Sequence, residues 1–252
     1  MNLKQLEANF EALAADDPLW TVLSDNEKRD GMWDEAEFYL TGEGVIDDLE
    51  SRLKGLGLDL AGHRAIDFGC GVGRLTFPLG RRFKSCCGID ISQSMVDFAE
   101  SRANRGPNCQ FLVNASPSLP AIDDASVDFV YSAIVFQHIA PRFTRQYLKS
   151  FAQKLKPGGL LVFQLPSHLN PQFPGNRKPF RILRKRFHYF TKAIAQRIPF
   201  VKSESFFEMN AIRRKALLPF LEEECGLEVL DNQDFPAAGS AWVSYLYIAR
   251  KR

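Results

Sequence analysis

From Ala65 to Arg74 the chain reads AIDFGCGVGR. A short apolar run carrying one acid, Asp67, gives way to glycines at alternate positions, Gly69, Gly71 and Gly73. Alternating glycines permit a sharp turn between a strand and a helix and let a ligand approach the backbone closely. Further on, the segment CCGID ends at Asp90, where a carboxylate at the tip of the next strand can grip two ribose hydroxyls. A lone glycine pattern would also fit a structural turn with an incidental acid. Strand, glycines, helix and strand-end acid in that order point instead to a nucleoside-binding crevice.

The flanking sequence fits an α/β domain. Arg64–Phe68 reads as a strand, followed by a helix from about Leu75 to Phe83, a second strand at 86–90 and a helix capped by Ser92 with Met95, Phe98, Ala99 and Ala103 on its apolar face. CQFLVN (109–114) is a third strand. SVDFVYSAIV (126–135) is a fourth, whose continuous apolar run suits burial on both faces. Pro141 opens a helix that KPGG (156–159) stops, turning the chain into a fifth strand, LLVFQL. Alternation of this kind argues for a mostly parallel sheet with helices on both faces. A last helix spans about Ala211–Cys225, kinked at Pro219 and stopped by Gly226. Two strands follow it without an intervening helix, so they should pair antiparallel. Ahead of the sheet, residues 1–60 read as helices: one carries Leu3, Leu6, Phe10 and Leu13, a second opens at Asp17-Pro18, and a third carries Val45, Leu49, Leu53 and Leu56.

At 252 residues one decorated domain is expected rather than two independent ones. The first residues hold acids and no long apolar stretch, and no apolar run nears the length of a membrane span. Five cysteines with no CxxC pair fit reduced thiols in a cytoplasmic protein, and Cys70 reads as a small residue filling a tight turn. The net charge of +2 hides an asymmetry, because residues 129–203 contain fourteen Lys and Arg and no acid. Much of that basic charge lies in 167–205, which interrupts the strand–helix alternation. Phe180, Leu183, Phe187, Phe190, Ile194 and Ile198 recur there at helical spacing opposite Lys and Arg. This insertion suits a helical cover packed on the domain, a peripheral contact with an anionic membrane through 177–198, or, less well, a nucleic-acid surface.

The nature of the ligand follows from what surrounds the glycines. A dinucleotide loop reads GxGxxG, with pyrophosphate on the helix N-terminus, but here Arg74 stands where the last glycine would be. Asp67 would repel a pyrophosphate and suit a cation. A ribose-bearing ligand with a sulfonium and an ammonium and no phosphate is S-adenosylmethionine. At residues 60–166 and 206–252 the chain resembles the class I S-adenosylmethionine-dependent methyltransferase family. AIDFGCGVGR is similar to the family's first motif and GIDIS to its second, with Asp90 as the ribose-binding acid. The resemblance implies a three-layer Rossmann-like fold with a seven-stranded sheet in the order 3-2-1-4-5-7-6, its last strand antiparallel. It further implies N-terminal helices at 1–60 as a lid over a cofactor domain at 61–252, with the helical insertion after the fifth strand. For the cofactor it implies Asp67, Gly69, Gly71 and Arg74 in the loop, Ile91 and Met95 against the adenine, and Asn114 and Ala115 flanking it. Ser132 and Gln137 follow from the fourth-strand motif VYSAIVFQHI, and Tyr39 and Thr41 from a lid-like FYLTGEG at 38–44.

Methyl transfer from a sulfonium is an in-line displacement with an already activated leaving group. Alignment of the acceptor can therefore supply roughly 7–11 kcal/mol. An oxygen or nitrogen acceptor also has a proton to lose, and a base contributes about 10²–10⁴-fold. His138, after the fourth strand, and His168, after the fifth, are the catalytic candidates. The plainer alternatives are a loop-bonding role for His138 and an exposed loop position for His168. Tyr131 reads as core and His188 as solvated. The acid-free span makes a carboxylate-held metal unlikely. The expected activity is methylation of an oxygen, or less readily a nitrogen, of a small-molecule or lipid-like acceptor. RNA or protein methylation, a nicotinamide-dependent activity and non-catalytic cofactor binding are the rivals.

Overall fold

The structure, a computed structural model, describes residues 1–102, 105–176 and 207–252. The amphipathic pattern at 180–198, the proposed membrane contact at 177–198, His188 and Ala103 lie outside the described residues. Seven strands form one sheet: β1 (Gly62–Phe68), β2 (Phe83–Asp90), β3 (Cys109–Val113), β4 (Val127–Ser132), β5 (Leu155–Leu169), β6 (Leu227–Asp234) and β7 (Trp242–Lys251). Their order is β3-β2-β1-β4-β5-β7-β6. The first five run parallel, and β7 is antiparallel to both β5 and β6. Strand order reverses between β1 and β4, so the crevice beyond their carboxyl ends is where a ligand fits such a sheet.

Alternation along β1 assigns its faces. Ile66 and Phe68 join Phe136, Tyr147 and Phe151 in one buried cluster, beside α6 (Pro141–Lys154). Ala65 joins Phe129, Tyr131, Val162 and Ile248 in another. The second cluster is closed by Ile46, Leu49 and Leu53 of α3 (Glu35–Gly55). That helix begins ten residues before Val45. Its buried positions Phe38, Gly42, Ile46, Leu49 and Leu53 continue one face back to its N-terminus. A Cβ on Gly42 would strike the carbonyl oxygen of Arg74, so the glycine lets α3 lie directly on the loop after β1. The segment 38–44 is therefore part of a sheet-packing helix. Among residues 1–60, α1 (Leu3–Asp16) and α2 (Pro18–Val22) border the crevice.

Other differences from the expected elements are local. The helix after the glycines, α4, is only Thr76–Gly80, because β2 already starts at Phe83. The last helix is a short α7 (Arg214–Pro219) that widens after the proline into one π turn, Phe220–Glu224. Gly226, at φ 65°, then leads into β6. Tyr131 is buried in the sheet as expected, and Cys70 is a buried thiol in the tight turn, pushed well above the usual thiol range by desolvation. Among the described residues no helix is long and apolar enough to cross a membrane.

Candidate cofactor and acceptor site

The glycine loop is tied to the tip of β2 at three points. Gly69 and Cys70 donate their amides to the Ile89 carbonyl at 2.7 and 3.1 Å, and Gly71 donates to Asp90 Oδ2 at 2.8 Å. Asp90 Oδ1 accepts from Ser92 N at 3.0 Å, which opens α5 (Gln93–Glu100). Gly69 and Gly71 take φ of 75° and 51°, conformations that cost a side-chain-bearing residue. A Cβ at Gly69 would run into Val135, and one at Gly71 into Val22 of α2. The loop is bare because the walls of the crevice press against it.

Inside the crevice is a cavity of about 450 Å³. Its wall carries three charged residues, Asp67, Arg74 and Asp90. Burial raises the Asp67 carboxyl to about 6, against the hydrogen bond from Thr76 (2.7 Å) and the nearby Arg74 charge. Burial likewise raises Asp90, opposed by the Ser92 and Gly71 amides. Arg74 is buried, donates from Nη1 to Thr41 Oγ1 at 3.3 Å, and leaves Nε without a partner. Desolvation lowers its affinity for its proton.

The rest of the wall is of a different character. Phe10, Thr21–Ser24, Ile134, Val135, Ile139, Phe207, Met209 and the turn Ala237–Gly239 line it, together with Gln137 and His138. No formal charge stands on that part of the wall among the described residues. The His138 ring packs against both Phe10 and Phe207, at centroid distances of 5.8 and 5.4 Å. Its Nδ1 is 2.8 Å from the Glu208 carbonyl and its Nε2 is 3.2 Å from Gln137 Nε2. Burial drives its pKa down to about 4 against the upward pull of Glu208, so the ring is neutral near pH 7.

Residues 65–159 match the family described as "Methyltransferase domain". By that match residues 65–159 are similar to methyltransferase domains, and the fold is the class I S-adenosylmethionine-dependent methyltransferase fold. It is similar to an uncharacterized methyltransferase of Bacillus licheniformis, 28% identical over 131 residues, covering 50% of this chain and 54% of that one. It is also similar to a ubiquinone biosynthesis O-methyltransferase of Maricaulis maris, 29% identical over 102 residues, covering 40% and 39%. The fold is that of the magnesium protoporphyrin IX methyltransferase of Synechocystis PCC 6803, solved with bound SAH, at a TM-score of 0.64, 18% identity and 99% coverage of both chains. The chain spans about half or less of the length of the curated relatives it matches.

In this chain the cavity wall brings together Asp67, Gly69, Gly71, Arg74, Asp90, Ile91, Met95, Asn114, Gln137 and His138. Five expected site residues lie elsewhere. Tyr39 is buried behind the loop, where its hydroxyl donates to the Val72 carbonyl at 2.9 Å and desolvation raises it to about 12. Thr41 meets the site only through Arg74, because α3 carries both residues in its packed first turns. Ser132 is fully buried and donates to the Phe68 carbonyl at 3.0 Å, fastening β4 to β1. Ala115 is off the wall, although Asn114 beside it is on it. His168 sits within β5 opposite Val243 instead of in a loop, and its Nδ1 meets Ser167 Oγ at 3.1 Å. His168 is thus absent from the cavity wall. β5 continues four residues past Leu165 because a bulge between Pro166 and His168 accommodates the proline.

Sequence reasoning passed over Phe10, Val22, Phe207 and Gln164. The first three are ordinary apolar residues whose role depends on tertiary placement. Gln164 did leave a signal, as the lone polar residue of the apolar run LLVFQL. It is fully buried and its Oε1 accepts the Ile134 amide at 2.9 Å. Ile134 has φ 64°, a left-handed conformation costly for a β-branched residue.

Proposed function

We propose that this chain moves a methyl group from S-adenosylmethionine to an oxygen of a small acceptor that is apolar and uncharged where it enters the protein. The observation that carries this reading is one cavity whose wall has three charged residues, Asp67, Arg74 and Asp90, and an otherwise uncharged lining that includes Phe10, Phe207 and His138; the charged residues would form its inner end and the aromatic ones its outer end. When bound, S-adenosylmethionine supplies an electrophilic methyl with a neutral thioether as leaving group. The residues present suit it. Asp90 lines the cavity with a carboxylate for the two ribose hydroxyls, and Ile91 and Met95 offer an apolar slot for the adenine. The unpartnered Nε of Arg74 is a buried donor awaiting a carboxylate, and Asp67 is the acid set to face an ammonium. Such an inner end rejects pyrophosphate, since Asp67 and Asp90 both stand where its charge would fall.

At the outer end, Phe10, Phe207 and Met209 would hold an apolar acceptor and exclude water, which supports alignment as the main catalytic contribution. As the acceptor oxygen forms its bond to the methyl carbon, its proton would pass to Nε2 of His138, the ring nitrogen not committed to a carbonyl. His138 is thereby the base of the reading and His168 is not. Calorimetry should give binding of S-adenosylhomocysteine and none of NAD. Incubation with methyl donor should release S-adenosylhomocysteine in the presence of neutral hydroxylated aromatic or isoprenoid acceptors, and not with phosphorylated ones. Turnover on transfer RNA, or on phosphorylated small molecules alone, would overturn the acceptor class.

A further inference from the structure

The hydrogen bonds behind His138 have a direction fixed from both ends. At one end is the Ile134 amide, which can only donate, and it reaches Gln164 Oε1 at 2.9 Å. The Gln164 NH₂ is thereby turned toward Ser244 Oγ (2.5 Å) and Gln137 Oε1 (3.4 Å). With its oxygen facing Gln164, Gln137 presents its NH₂ to His138 Nε2 at 3.2 Å. A proton on Nε2 would oppose that donor, so Nε2 must accept. Across the ring, the Glu208 carbonyl can only accept and lies 2.8 Å from Nδ1, which must donate. Both constraints select one tautomer.

We propose that Gln164 is a positioning residue: acting through the Gln137 amide, it holds His138 as the neutral Nδ1–H tautomer and keeps Nε2 unprotonated, so that an incoming proton has only the Gln137 amide to displace. Only the last clause rests on the function proposed above; the tautomer does not.

The relay is anchored on four sides. Gln164 is on β5 and Ser244 on β7, while Gln137 accepts the Asn210 amide on its backbone carbonyl at 2.6 Å. The Ile212 amide donates to the Pro166 carbonyl at 3.1 Å, which steadies the segment that supplies Glu208. Phe10 and Phe207 pack against the ring. The charged group facing it is Glu208, whose carboxylate is itself paired with the Met1 ammonium at 2.7 Å. A chain of buried amides is tolerable only if every member is satisfied, and here its satisfaction and the ring's proton position are the same condition.

Long-range proton–nitrogen correlation spectra of the full chain test this directly, with His138 assigned by its loss in His138→Gln. In the wild type the bare nitrogen should be Nε2. Gln164→Met keeps the bulk but removes the donor that holds the Gln137 oxygen, so the Gln137 amide can turn that oxygen to Nε2; with the Glu208 carbonyl still holding Nδ1–H, a doubly protonated population carrying Nε2–H should appear at a higher pH than in the wild type. Turnover should fall about 10-fold or more, within the range of base catalysis, with S-adenosylhomocysteine affinity unchanged. In a Gln137→Met background the further change Gln164→Met should leave the ring's spectrum as it was. A wild-type bare nitrogen at Nδ1 would overturn the proposal without any variant, and so would a folded Gln164→Met protein with unaltered protonation at Nε2. If protonation at Nε2 shifts and turnover does not, the relay stands and the reading of His138 as proton acceptor fails.

Discussion

At the scale of single residues, Asp90 and the His138–Asp67 pair allow the sharpest expectations. Asp90 already accepts the Gly71 and Ser92 amides, with the Ile91 amide beside them, and it lines the cavity. Asp90→Ala should weaken S-adenosylmethionine binding by about 2–3 kcal/mol, the worth of charge-assisted hydrogen bonds. Calorimetry on the folded variant would expose an error as unchanged affinity. For stability the two buried ionisable groups act in opposite directions. His138 has a folded pKa of about 4 against 6.5, so the unfolded chain binds the extra proton between those values and His138 lowers stability as pH falls from 6.5 to 4. Asp67 has a folded pKa of about 6 against 3.8, so its contribution is present below 3.8 and is lost as pH rises to 6. Each shift corresponds to about 3 kcal/mol, and the two nearly cancel across the overlapping window. Removing one partner uncovers the other. Denaturant titrations of wild type and His138→Gln should show the wild type gaining about 3 kcal/mol relative to the variant between pH 4 and 6.5. A constant difference across that range would mean that the ring is not desolvated.

At the scale of elements, the Glu11 side chain ties α1 to the N-terminus of α5. The Glu11 carboxylate accepts the Gln93 amide and, at 2.6 Å, the Ser94 hydroxyl at the N-terminus of α5. Although its burial opposes this, the hydrogen bonds of Ser94, Gln93 and Ser92 hold its carboxyl below the usual range. A carboxylate is well placed at a helix N-terminus. Val22 of the next helix meets Gly71, and Asp17 joins the two helices to the following turn by accepting the Trp20 and Gly31 amides at 3.1 and 2.8 Å. Glu11→Ala should cost about 1 kcal/mol, as loss of a helix cap does, and should speed S-adenosylhomocysteine release about 5-fold if α1 must lift for exchange. An unchanged dissociation rate in stopped flow would remove α1 from the exit path. These helices were legible because Asp17-Pro18 is a strong cap and Leu3, Leu6, Phe10 and Leu13 share a face. The start of α3 was obscured, since Gly42 occupies a core position in place of a large apolar residue. The extension of β5 was hidden by Pro166, which reads as an end of strand unless a bulge absorbs it. Among site residues, those fixed by local sequence, from Asp67 to Asp90, could be read directly. His168 and Tyr39 could not, because their distance from the cavity depends on strand length and helix packing.

For the molecule as a whole, the cavity is assembled from distant parts of the chain: α1 and α2, the loops after β1 and β4, and the segments around Phe207 and Ala238. The strand order follows from the alternation of elements, yet the outer wall depends on bringing both ends of the sequence onto that sheet. Leu6 of α1 is buried in the same cluster as Ile212, Leu217 and Leu227, so loosening the N-terminal helices should disturb C-terminal packing as well. The tryptophans report on both ends, with Trp20 and Trp33 in the N-terminal region and Trp242 on β7. If the chain unfolds as one unit, tryptophan fluorescence and far-ultraviolet circular dichroism should give the same midpoint. A ligand held by every part of the wall must then move both midpoints equally. At a free concentration 100-fold above its dissociation constant, S-adenosylhomocysteine should add about 2.7 kcal/mol, and each kcal/mol raises the midpoint of a chain this size by about 2–4 °C. Fluorescence of a Trp242→Phe variant, which reports only Trp20 and Trp33, separates the alternatives. A midpoint well below that of circular dichroism, unmoved by S-adenosylhomocysteine, would show that the N-terminal helices unfold on their own and take no part in holding the ligand.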